Sequence, residues 1–148
     1  MNTDKKRWDL PKQTHFADWT GAKPKAAGDC WRCCIAAVLG IPASDVPHFL
    51  KDDIDSRGTD GWRDCDDRTQ QWLNERGFVL ARVTGGYLGF DYLKNHVVPV
   101  IKCGPTPRSQ KMHQHHAVVY LGDSMVYDPH PSSAGLTAVT DQFLLIKI

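Results

Sequence analysis

The sequence is short of the features that define several large protein classes. No apolar run approaches the roughly 20 residues of a membrane-spanning helix, which argues against a membrane protein. Residues 1–12 are charged and carry no apolar stretch of the kind a secretory leader needs. Lys and Arg total 18 against 17 Asp and Glu, a formal net charge of +1, so composition gives no electrostatic footing for nucleic acid or an anionic membrane. There is no internal repeat, no low-complexity tract and no second Cys-x-x-Cys to complete a zinc module. Cysteine is present as an odd five. With no export signal, this reads as reduced thiols in a cytoplasmic protein rather than a disulfide framework.

What is present fits one α+β domain over residues 1–148, long enough to close its own core. Residues 1–12 are expected as a flexible arm with Trp8 docking on the body. The organising stretch is Gly28-Asp29-Cys30-Trp31, running on to Leu39-Gly40. Gly28 and Asp29 read as a turn and a helix N-cap. The helix is apolar on most sides, and Gly40 ends it in the left-handed conformation. Cys30 then lies in the first turn, where the positive end of the helix dipole favours an anion. A thiol so placed is lowered in pKa and becomes nucleophilic when a histidine cation stands nearby. Cys33 and Cys34 fall on an apolar face and read as small hydrophobes.

Along the chain, Gln13–Phe16 reads as a short extended piece and Gly21–Gly28 as a loop. Ser44 caps a short second helix running to about Lys51, with Pro47 in its first turn. Thr59 or Asp60 caps a third, whose apolar stripe is Trp62, Cys65, Thr69, Trp72 and Leu73, stopped by Gly77. Phe78–Thr84 alternates as a strand, and Asp91–Asn95 makes at most one helical turn. His96–Cys103 is a β-branched strand in which Pro99 implies an edge position or a bulge. Gly104–Gln114 is a polar loop. His115–Leu121 and Ser124–Asp128 flank Gly122-Asp123 as a hairpin, and Gln142–Ile148 is a closing strand. Helices first and mostly antiparallel strands after them make an α+β layer arrangement, with the Cys30 helix across a small sheet.

Three pieces carry chemistry, in the order Cys30, His116 opening His-Ala-Val-Val-Tyr, and Asp128 in Tyr-Asp-Pro-His-Pro. An imidazole at the head of a strand can hold a proton and deliver it to a leaving amine. A carboxylate on the next strand can bind the other ring nitrogen. Strand parity complicates the choice of histidine. If the turn is only Gly122-Asp123, Ala117 faces Asp128 and His115 shares its face; a three-residue turn or a bulge restores His116. His116 is the expected base, with His115 as the alternative.

The Gly-Asp-Cys helix start, His-Ala-Val-Val and Asp-Pro together resemble papain-like cysteine peptidases. Compact bacterial and phage members, including the bacteriocin-processing peptidase domains of transporters, are the most similar group. The resemblance implies a papain-like fold, Cys30 as nucleophile, His116 as general base and acid, and Asp128 as the orienting residue. It implies hydrolysis or acyl transfer at a peptide or protein amide, with no cofactor and no metal. The family also places a Gln a few residues before the nucleophile to donate to the oxyanion. That position falls here in Lys23-Pro24-Lys25. The nearest upstream candidate is Gln13, which reaches the site only if residues 14–27 loop out. The Cys30 backbone amide offers a second donor.

Two other readings stand beside this one. A catalytically silent papain-like shell would capture a peptide without turnover. A zinc-stabilised interaction domain would use Cys30, Cys33 or Cys34 with His113, His115 or His116. Arg108, in the Pro-rich loop, is a candidate contact for an anionic substrate group. His130 and residues 132–135 are candidates for lining a substrate channel.

Overall fold

A computed structural model describes residues 5–17, 27–50, 59–83, 98–108 and 115–148. Two helices and a five-stranded antiparallel sheet make up the α+β domain. Helix α1 (Cys30–Leu39) starts where expected and ends at Gly40, whose φ of 72° permits a Schellman closure. The Gly40 amide bonds the Ala37 carbonyl and the Ile41 amide bonds that of Ala36. Arg7 adds a guanidinium hydrogen bond of 2.6 Å to the same Ala37 carbonyl, placing a cation at the negative end of the helix. At the other end, Asp29 occupies the cap position without capping: its carboxylate bonds no first-turn amide. The His15 amide and the Arg32 guanidinium hold it instead.

Helix α2 (Thr59–Asn74) buries Cys65, Thr69 and Leu73 along one stripe, with Trp72 half-buried beside it. Complete burial of a side chain such as Leu73 contributes about 1.5–3 kcal/mol. Trp62 of the expected stripe lies where side chains are not described. Trp31 ties the layers together. Its indole N–H donates to the Thr69 hydroxyl at 3.0 Å, and its ring meets Phe143 edge-on at 5.0 Å.

The helix expected from Ser44 to Lys51 is reduced to a 3-10 turn over Ala43–Asp45. Val46 precedes Pro47 and takes φ −106°, ψ 130°, because a proline disfavours the helical region for the residue before it. Val46, Phe49 and Leu50 are nonetheless buried. The stretch thus serves as core without being helical. Residues 51, 84 and 91–97 and most of the 21–28 loop lie outside the described residues.

The strands are β1 (Phe78–Arg82), β2 (Pro99–Gly104), β3 (His116–Leu121), β4 (Ser124–Tyr127) and β5 (Asp141–Lys147), in sheet order β1-β5-β2-β3-β4. The last strand is inserted between the first two, so β2 is interior rather than the edge that Pro99 suggested. Pro99 is the first residue of β2 and lies beyond its pairing with β5, which runs from Ile101 to Cys103. Its missing amide therefore interrupts no bond to that neighbour.

The segment expected as a flexible arm lies against the body over Arg7–Gln13. Trp8 is buried, the Tyr127 hydroxyl donates to the Pro11 carbonyl at 2.7 Å, and the Gln13 amide donates to that of Pro129 at 2.9 Å. Gln13–Phe16 is not a strand; it turns back so that the Asp29 amide bonds the His15 carbonyl.

Candidate active site

The first residue of α1 and the first residue of β3 meet at one end of the sheet. The hairpin between β3 and β4 has the two-residue turn Gly122-Asp123, which alone would have presented His115. One extra residue changes that. Val119 pairs with Tyr127 while Tyr120 pairs with Met125, so Val126 is bulged out of the ladder. The pleat beyond the bulge is displaced by one residue, and His116 comes onto Asp128. The His116 Nε2 to Asp128 Oδ1 distance is 2.7 Å, with both groups buried. The Cys30 thiol is the other neighbour that raises the His116 imidazole. With Nε2 taken by the carboxylate, Nδ1 is the ring nitrogen left free of Asp128. His115 is exposed and has no part in the pair.

The electrostatics follow from this geometry. Burial pulls the His116 imidazole down, but the hydrogen bond to Asp128 and the neighbouring Cys30 outweigh it and lift the group from 6.5 to about 9. Burial pushes Asp128 up; the bond from His116 and those from the Gly135 and His130 amides outweigh it, leaving the carboxyl at about 2. The two amide bonds are each 2.9 Å long, from His130 to Oδ1 and from Gly135 to Oδ2. The first is an Asx turn, the usual behaviour of an Asp before a turn. The proline-rich tail of the hairpin thereby orients the carboxylate, a role that the Asp-Pro-His string advertised only as a turn.

Cys30 is partly exposed, and the remaining thiols are not suited to ionise. Burial pushes Cys33 and Cys65 each to about 12, and raises Cys34 and Cys103 as well.

Gln13 is buried at 8% exposure beside the start of α1. Its Nε2 donates to the His15 carbonyl at 2.7 Å, and its Oε1 is buried without a partner. The amide lies 3.5 Å from where a side chain on Gly28 would begin, and the Ala17 amide lies 3.2 Å from the same point. Only glycine leaves the returning segment that room. Gln13 thus lies beside Gly28, two residues before Cys30; residues 18–26, on which the expected loop falls, lie outside the described residues.

The Arg108 guanidinium is held by Ser132, whose Oγ accepts from Nη1 at 2.7 Å. The His130 ring stands edge-on to that of His116 with centroids 6.2 Å apart. Two contributors went unread in the sequence. Lys12 donates to the Asp128 carbonyl at 2.7 Å. His15, with Arg32, immobilises Asp29 next to Cys30. Neither sits in a recognisable motif, because both act across the fold. Among the described residues no group of three or more His, Cys, Asp or Glu side chains is arranged to hold a metal ion; His113 lies outside them.

No family model, curated protein or solved structure matches the chain. No helix among the described residues is long and apolar enough to cross a membrane.

Proposed function

We propose that this chain is a papain-like thiol hydrolase or acyl transferase acting on an amide bond through Cys30, His116 and Asp128. The observation that carries the reading is a buried imidazole bonded to Asp128 at 2.7 Å and raised by the neighbouring Cys30, which is the first residue of a helix. His116 takes the thiol proton as the Cys30 sulfur attacks. Attack on the amide carbonyl forms the C–S bond and an oxyanion. The Cys30 backbone amide and the second Nε2 hydrogen of Gln13 are the donors available to that oxyanion. Collapse breaks the C–N bond as His116 gives its proton to the leaving amine, which departs from a thioester. Water then adds with His116 as base and releases the acid; an amine acceptor in place of water makes the reaction an acyl transfer.

Iodoacetamide labelling near neutral pH, read by peptide mass spectrometry, tests the reading without a known substrate. Cys30 is expected to react at least about tenfold faster than Cys103. Equal rates would remove the proposal.

A further inference from the structure

We propose that Arg108, His130 and Lys12 form an anion subsite beside His116, so that the substrate carries a carboxylate close to its reacting acyl group. This deepens the proposed hydrolase reading and rests on it.

The Arg108 guanidinium donates to Ser132 Oγ, and Ser132 Oγ lies 2.9 Å from His130 Nδ1. His130 in turn stands against His116, which makes a continuous row from the guanidinium to the reacting imidazole. The Ser132 backbone N–H also donates to His130 Nδ1, at 3.1 Å. That nitrogen is therefore an acceptor, and the proton of the neutral ring must sit on Nε2, leaving an N–H donor with no partner among the described residues. On the other side of the loop, Lys12 donates to the Asp128 carbonyl and to Ser133 Oγ.

Both cations are thus anchored by neutral oxygens, and neither meets a carboxylate among the described residues. Asp128 does not serve them, because its oxygens are taken by His116, His130 and Gly135. Asp128 pairs with His116, while the charges on Arg108 and Lys12 meet no carboxylate of their own among the described residues. Burial lowers His130, and the charges on Arg108, His116 and Lys12 lower it further against the opposing pull of Asp128, in keeping with a surplus of positive charge around that ring. Arg108 is further oriented by its own amide, which bonds the Thr106 hydroxyl at 3.1 Å. A preorganised guanidinium that spends one donor on Ser132 among the described residues suits a carboxylate in a forked contact. Phe16, 45% exposed and edge-on to His130 at 5.5 Å, supplies an apolar flank for the rest of the substrate.

The test compares two alkylating reagents of similar size, anionic iodoacetate and neutral iodoacetamide, at Cys30. The iodoacetate-to-iodoacetamide rate ratio is expected to fall on the order of fivefold in Arg108→Gln. It should hold in Lys147→Gln, which removes a remote charge. Raising salt to about 0.5 M should lower the ratio in the unaltered protein, a readout independent of whether the variant folds. N-acetylalanine and N-acetylglutamate α-amide, added as protectants, separate a chain-terminal from a side-chain carboxylate.

A ratio indifferent to both Arg108→Gln and salt, or protection by neither compound, overturns the subsite while leaving the thiol reading intact. Failure of either reagent to prefer Cys30 over Cys103 removes both.

Discussion

Asp29 and Asp128 are the buried carboxylates among the described residues, at 1% and 2% exposure, and each has a histidine within hydrogen-bond reach. Beyond that they diverge. Asp29 is held by the Arg32 guanidinium at 2.9 Å and by the His15 amide at 3.0 Å. Arginine keeps its proton at any ordinary pH, so the Asp29 charge is permanently neutralised. The His15 ring, 3.3 Å away and 53% exposed, is an optional third partner. Asp128 has no arginine partner among the described residues. Two loop amides orient it, and among those residues His116 is the only cationic side chain on its carboxylate. One pair therefore fixes the backbone ahead of Cys30, and the other keeps a transferable proton beside its sulfur.

The comparison can be broken most directly at the two carboxylates. Asp128→Ala leaves a buried imidazole without its acceptor and strands two amides, and should cost about 3–4 kcal/mol in urea unfolding. It should also bring the His116 titration, followed by NMR, down from about 9. Asp29→Ala should cost about 2–3 kcal/mol while leaving that titration in place. A His116 titration that moves equally in both variants would erase the distinction.

The histidines should separate in the same sense. His116→Ala should slow Cys30 alkylation at pH 7 about 10²-fold, whereas His15→Ala should stay within about twofold.

The pH dependence sharpens the contrast. His116 is raised from 6.5 to about 9, so its stabilisation is complete below 6.5 and is lost as pH rises through 9. Asp128 is lowered from 3.8 to about 2, so its share is present above 3.8 and is lost as pH falls through 2. Urea midpoints should be highest between these arms, and Asp128→Asn should flatten the alkaline one. Asp29 is also lowered and should contribute only to the acidic arm. The smallest effect expected is that of Gly28→Ala. It must displace the Ala17 amide by a few tenths of an ångström and should cost about 1 kcal/mol.

Both helices and most of the strands were legible because their signals are local: Gly40 and Gly77 as stops, the Cys65–Thr69–Leu73 spacing, and Gly122-Asp123 between two β-branched runs. Cys30, His116 and Asp128 were legible as a set, since each sits at the boundary of an element. What escaped was set by distant chain. Asp29 looked like a cap because Asp usually caps; the His15 amide and Arg32 compete for the same oxygens and win. Pro99 looked like an edge residue because nothing in residues 96–103 reveals that β5 arrives on its other side. The run after Ser44 looked helical until the constraint Pro47 places on Val46 is weighed. Lys12 carried no signal of its own, and Ser132, read only as a channel-lining candidate, none that tied it to Arg108; both roles arise from segments that meet only in the fold.

Val126 has a consequence of another kind. The side chain it carries is incidental; the space it occupies along the strand selects which of two adjacent rings is offered to the sulfur. Were Val126 to pair with Val119 instead of bulging, the ladder would bring Ala117 opposite Asp128 and turn His116 away; excising it would keep Tyr127 opposite Val119 and so keep His116 in place, and exchanging it for another amino acid would leave the selection intact. Which ring meets Asp128 is therefore decided by how one strand takes up its surplus residue, and not by the chemistry of the side chain that makes up the surplus.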